Sequence, residues 1–105
     1  MDDNRAIQAH RLLELTREML ELAKSKDWPA LAVREAERQE VARELFASPV
    51  PQSAASAVAE CVRDVLTIDQ ELIVLTEAGR DDAARAMQEV RTGQKARDAY
   101  RRFSR

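Results

Sequence analysis

Glycine and proline are scarce: two glycines and three prolines in 105 residues. With charged residues at 34% and apolar ones at 45%, that scarcity favours long helices over strands or disorder. β-branched residues never alternate with polar ones over a useful length, so no strand is predicted. Cys61 is the single cysteine, which excludes an intramolecular disulfide and a thiolate zinc site and fits a reducing cytoplasm. No segment approaches about 18 consecutive apolar residues, so no membrane insertion is expected. The opening Met1-Asp2-Asp3-Asn4-Arg5 lacks the basic and apolar regions of a signal peptide. Charge of one sign is also lacking: 19 acidic and 17 basic side chains leave a formal net charge of -2. No global basic field exists to attract nucleic acid or anionic lipid. The one basic cluster, Arg97, Arg101, Arg102 and Arg105, reads as a solvated helix end.

Catalytic signatures are missing as well. There is no glycine-rich phosphate loop, no Gly-x-Ser-x-Gly and no His-Glu-x-x-His. His10 has no second imidazole or thiol at ligand spacing and reads as a surface histidine. Cys61 follows the apolar period of its segment and reads as a small buried thiol. The sequence therefore implies no cofactor, no metal and no enzyme.

What is present is helical periodicity within one domain spanning residues 1–105. A first helix is predicted over about 4–25, with Asp2, Asp3 and Asn4 offering N-caps. Ile7, Leu12, Leu15, Met19, Leu22 and Ala23 recur at short helical steps, and Leu13 and Leu20 widen that face. Asp27-Trp28-Pro29 breaks the pattern, because Pro29 suits a first turn but not a helix interior. Trp28 is expected to pack over this turn and clamp it. The second helix is predicted over 29–46, with Leu31, Arg38, Val41, Ala42 and Leu45 along one side. Its charged centre, Arg34 to Glu44, reads as a solvated face with pairs at helical spacing.

Ser48-Pro49-Val50-Pro51-Gln52 is the clearest loop, and Ser53 is placed as the next N-cap. The third helix is predicted over 53–92, carried by Val58, Cys61, Val62, Val65, Ile68, Leu72, Leu75, Thr76, Gly79, Ala83, Met87 and Val90. Thr92-Gly93 is read as its stop. A short tail helix over about 94–104 would follow, with Ala96, Ala99, Tyr100 and Phe103 on one face. A helix of about 40 residues rises about 60 Å, against about 30 Å for each of the first two. In an antiparallel three-helix bundle the far half of the third helix would then outreach its neighbours.

That far half invites an amphipathic partner, since small residues admit a close backbone and methionine adapts to irregular surfaces. The candidate partner-binding residues are Val41, Leu45, Leu72, Leu75, Thr76, Gly79, Ala83, Met87, Val90 and Tyr100. Three occupants compete: a client segment, a second copy in a homodimer or helical scaffold, and the chain's own tail. A separate fragment, Ile68-Asp69-Gln70-Glu71-Leu72-Ile73-Val74-Leu75 followed by Arg80, looks like the opening helix of the all-helical chorismate mutases. Any amphipathic helix can produce that pattern, and too little chain follows it for the rest of such a site.

Several runs together resemble the FliT-type flagellar export chaperones. They are Leu22-Ala23-Lys24-Ser25-Lys26-Asp27-Trp28-Pro29-Ala30-Leu31, then Glu37-Arg38 with Val41, Leu45 and Phe46, then Leu66-Thr67-Ile68-Asp69-Gln70-Glu71-Leu72. Gly93-Gln94-Lys95-Ala96 and Ala99-Tyr100 complete the set. The resemblance extends over nearly the whole chain. It implies a cytosolic, antiparallel helical protein that binds the C-terminal segment of the filament-cap protein FliD by helix-in-groove recognition and prevents its premature assembly. It also implies contact with the export ATPase complex. Some members act on the flagellar master regulator, a role not carried over to this chain. In the family a last helix covers the client groove; here the segment after Gly93 is short, so strong self-inhibition is not expected.

Overall fold

The computed structural model describes residues 4–103, and every regular element among them is an α-helix. Helix α1 spans Arg5–Lys24, α2 spans Trp28–Leu45, and α3 spans Gln52–Phe103, a single helix of 52 residues. The chain divides into one compact unit reaching to Leu75 and a second beginning at Thr76.

In the first unit the three helices form an up-down-up bundle. The turn between α1 and α2 is set by backbone chemistry. Lys26 lies in the left-handed region with φ 61, while Lys26 N–H donates to the Ala23 carbonyl and Asp27 N–H to the Leu22 carbonyl. That is a Schellman stop with lysine where glycine is usual, a conformation that strains a side chain by about 1 kcal/mol. The Asp27 carboxylate then accepts from Ala30 N–H at 3.2 Å and caps α2, with Pro29 in the first turn. Trp28 opens α2 half-buried against the apolar cluster beneath the turn, the clamp its position predicts. At the opposite end Arg5 holds the α2–α3 connection. Its guanidinium donates to the carbonyls of Leu45 at 3.1 Å and Ser48 at 2.9 Å, and to the Ser48 hydroxyl.

Two apolar clusters fill the bundle. The larger joins Ala9, Leu12 and Leu13 of α1, Leu45 of α2, and Ala54, Val58, Cys61 and Val65 of α3. The smaller joins Met19 and Ala23, Leu31, and Leu72, with Leu22, Trp28 and Leu75 packed against it. In sequence position a polar layer falls between them. The Arg38 guanidinium on α2 meets the Asp69 carboxylate on α3 at 2.6 Å and donates to the Thr16 hydroxyl on α1 at 3.3 Å. Thr16 in turn donates to the Leu12 carbonyl at 2.8 Å. Three helices thus share one network, which ties the register of α3 to the first two.

Four sequence expectations are corrected. Ile7 is exposed, because the five-residue step to Leu12 turns it about 140° off the buried face. Ser53 is not the cap of α3, which already starts at Gln52. The separate tail helix does not exist as such: α3 runs through Thr92-Gly93 to Phe103. No glycine among the described residues has positive φ, so Gly93 does not adopt the left-handed stop and weakens the helix by about 1 kcal/mol without ending it. The Asn4 side chain makes no cap hydrogen bond. The caps placed on Asp2 and Asp3, the tail's end at Ser104, and Arg105 lie outside the described residues.

The second unit, as far as it is described, is α3 alone, roughly 40 Å of helix. No described residue of it is buried.

Candidate partner-binding surface

The residues proposed from sequence fall into two groups. Leu45 and Leu72 are core residues, 0% and 5% exposed. Val41 is half-buried against the larger cluster and Leu75 against the smaller. All four follow the helical period, and packing within the first unit takes up their side chains.

The rest of the set lies in the second unit. Thr76 and Gly79 are partly covered, and Ala83, Met87, Val90 and Tyr100 are exposed. Met87 is 56% exposed, Val90 55%, Tyr100 76% and Phe103 88%. Thr76, Gly79, Ala83, Ala86, Val90, Gly93, Arg97 and Tyr100 follow alternating steps of three and four residues, which aligns them along one helix face. Val90 and Tyr100 in this row, with Met87 and Phe103 beside it, are large exposed side chains separated by small ones, a surface that gains from being covered. A Cβ added at Gly93 would meet nothing within 4 Å, so this face is open at that position as well.

Charge along this segment is uneven, and most of it lies on the side of the helix away from the row. Glu77, Asp81 and Asp82 stand against Arg80 and Arg85 at its start. Arg91, Lys95, Arg97, Arg101 and Arg102 outnumber Asp98 at its end. Arg85 pairs with Asp82 at 2.8 Å within the helix.

Sequence reasoning passed over a second surface. Leu22, Ala30 and Val33 floor an open groove between α1 and α2, rimmed by Arg17, Glu18, Glu21 and Arg34. Arg34 is held by Glu18 at 3.2 Å and Glu37 at 2.8 Å, and Glu37 is also met by Arg11 at 3.4 Å. These cross-helix pairs give the charged centre of α2 partners on α1 as well as on itself. Val33 gave no signal, since it sits off the buried period. Leu66, Ile73 and Val74 are exposed for the same reason.

No chemistry gathers at either surface. The described residues contain no group of three or more potential metal ligands. Burial pushes the Cys61 thiol up, the Asp64 and Glu60 carboxylates add to that, and Arg17 opposes it. A thiol so shifted stays protonated at neutral pH and makes a poor nucleophile. In the mutase-like fragment, Asp69 is engaged by Arg38 in the network that braces the bundle. No helix among the described residues is long and apolar enough to cross a membrane.

The family model described as flagellar protein FliT matches residues 7–102. No curated protein and no solved structure matches the chain.

Proposed function

The chain belongs to the FliT family of flagellar export chaperones, and we propose that its client is a FliD-like filament-cap protein. In this reading it holds the C-terminal segment of the client in the cytosol and prevents premature assembly. The observation that carries the reading is the uncovered row on the second unit, with Val90 and Tyr100 in it and Met87 beside it more than half exposed. An amphipathic client helix laying its apolar face against that row would be recognised in the helix-in-groove manner, with anchors at three- and four-residue spacing. The charged faces of the first unit remain available for a second contact, such as the export ATPase complex.

The test is a titration of the full chain with a peptide from the C-terminus of the cap protein. Binding at micromolar concentration is expected. Met87→Glu and Val90→Glu should each weaken it by at least about tenfold, since a carboxylate placed in an apolar contact is desolvated unpaired. Both variants should melt like the parent, because neither side chain is packed. Failure to bind at micromolar concentration, or equal loss of folding and binding in these variants, would remove the reading. An assay for prephenate formation is expected to show no turnover; measurable turnover would reopen the mutase alternative.

A further inference from the structure

We propose that the end of α3, residues 91–103, is a peripheral membrane contact: a basic amphipathic helix that lies against an anionic lipid surface. The net charge of -2 over the whole chain conceals a local excess of the opposite sign. Within this stretch Arg91, Lys95, Arg97, Arg101 and Arg102 stand against Asp98 alone. The same stretch carries Tyr100 and Phe103, 76% and 88% exposed, more open than the other exposed large apolar side chains. None of its residues is buried.

Charge and aromatic side chains are sorted around the helix. Successive residues turn by about 100°, so Ala96, Ala99, Tyr100 and Phe103 share an arc of about 100°. Lys95 and Arg102 border that arc on one side and Arg97 on the other, while Asp98 falls near the opposite pole. An interfacial helix needs this arrangement. The aromatic rings enter the headgroup layer, the flanking cations reach lipid phosphates along their aliphatic stems, and the lone carboxylate stays in water. Such a density of lysine and arginine on an amphipathic helix is drawn to anionic headgroups. A protein groove is a poorer match, because it would wrap the helix and desolvate cations at both rims; a plane touches only the narrow arc. Nucleic acid would engage the cations and leave Tyr100 and Phe103 facing water. No helix among the described residues is long and apolar enough to cross a membrane, and this contact needs none, since the helix lies in the plane of the interface.

Co-sedimentation of the full chain with lipid vesicles tests this, and with no client peptide present its outcome is independent of the client reading. Vesicles of phosphatidylcholine mixed with an equal part of phosphatidylglycerol should bind the chain, and vesicles of phosphatidylcholine alone should not. Binding should fall as salt is raised from about 0.05 M to about 0.5 M. Lys95→Glu combined with Arg102→Glu should weaken it by at least about tenfold. Tyr100→Ser combined with Phe103→Ser keeps every charge and should weaken it by about fivefold or more. Arg43→Glu combined with Arg63→Glu makes the same change in net charge within the first unit and should stay within about threefold of the parent. All these side chains are exposed, so each variant should melt like the parent. No binding to the anionic vesicles, equal binding to both vesicle types, no loss in the aromatic variant, or equal loss in the first-unit variant would each overturn the proposal. A chain that ignores anionic vesicles but binds polyglutamate or duplex RNA through Lys95 and Arg102 would place an acidic macromolecule there instead, and would overturn it too.

Discussion

Up to Leu75, α3 buries Ala54, Val58, Cys61, Val65 and Leu72; from Thr76 onward the same helix buries none of its described residues. The periodic apolar pattern continues across that division. What changes is the presence of neighbours. In the first unit α1 and α2 supply opposing side chains, and the pattern becomes a core. In the second the pattern stays uncovered, and the large residues it carries are a surface. Periodicity therefore assigns a face, while packing partners decide whether that face stabilises the fold or receives something else.

The largest effect expected from this contrast lies in paired truncations. Leu45→Ala should lower unfolding free energy by about 2–5 kcal/mol, as for any fully buried leucine. Met87→Ala should stay within about 0.5 kcal/mol. Urea titrations of both variants would break the contrast if the two losses were alike.

A smaller loss is expected from the polar layer. Arg38→Ala leaves Asp69 mostly covered and without its 2.6 Å partner, and should cost about 1–3 kcal/mol. The paired change to Arg38→Leu with Asp69→Leu should recover much of that loss. No recovery would mean that the network does more than satisfy two charges.

Gly93→Ala sharpens the comparison from the other side. The position is helical with open space around it, so alanine should favour the helix by about 1 kcal/mol, read by circular dichroism. A methyl group added there also narrows the approach of a partner helix to the row. Greater helicity with weaker binding of the client peptide is the expected pair of outcomes.

The smallest expected effect is on pH dependence. The Cys61 thiol titrates higher in the folded chain than in the unfolded one. The folded state then holds its proton more tightly, so this contribution is fully present below the unfolded thiol's range. It is lost as pH rises through that range toward the folded value. Denaturation at neutral and at alkaline pH should show a decline that Cys61→Ala reduces. An unchanged slope in that variant would place the decline elsewhere.

Much of this was legible in the sequence. The starts and ends of α1 and α2 lie within one or two residues of their predicted positions, because Asp27, Trp28 and Pro29 fix a turn by local chemistry. The stop at Thr92-Gly93 was misread for a physical reason: glycine permits a left-handed stop without requiring one. Ile7 was misread because a hydrophobic residue near a periodic run is easily counted into it. For the surface, periodicity picked out Met87, Val90 and Tyr100 together with Leu45 and Leu72. Telling the two sets apart needed the three-dimensional neighbours that only folding supplies. Val33 escaped notice because its groove exists only once α1 and α2 lie side by side.

Amide hydrogen exchange on the dilute full chain, with and without saturating client peptide, tests the central claim most directly. Amides of α3 before Leu75 should be strongly protected in both conditions, and those from Ala78 to Phe103 weakly protected alone but markedly slowed by the peptide. Strong protection of the latter stretch in the dilute free chain, or exchange there unmoved by saturating peptide, would contradict it.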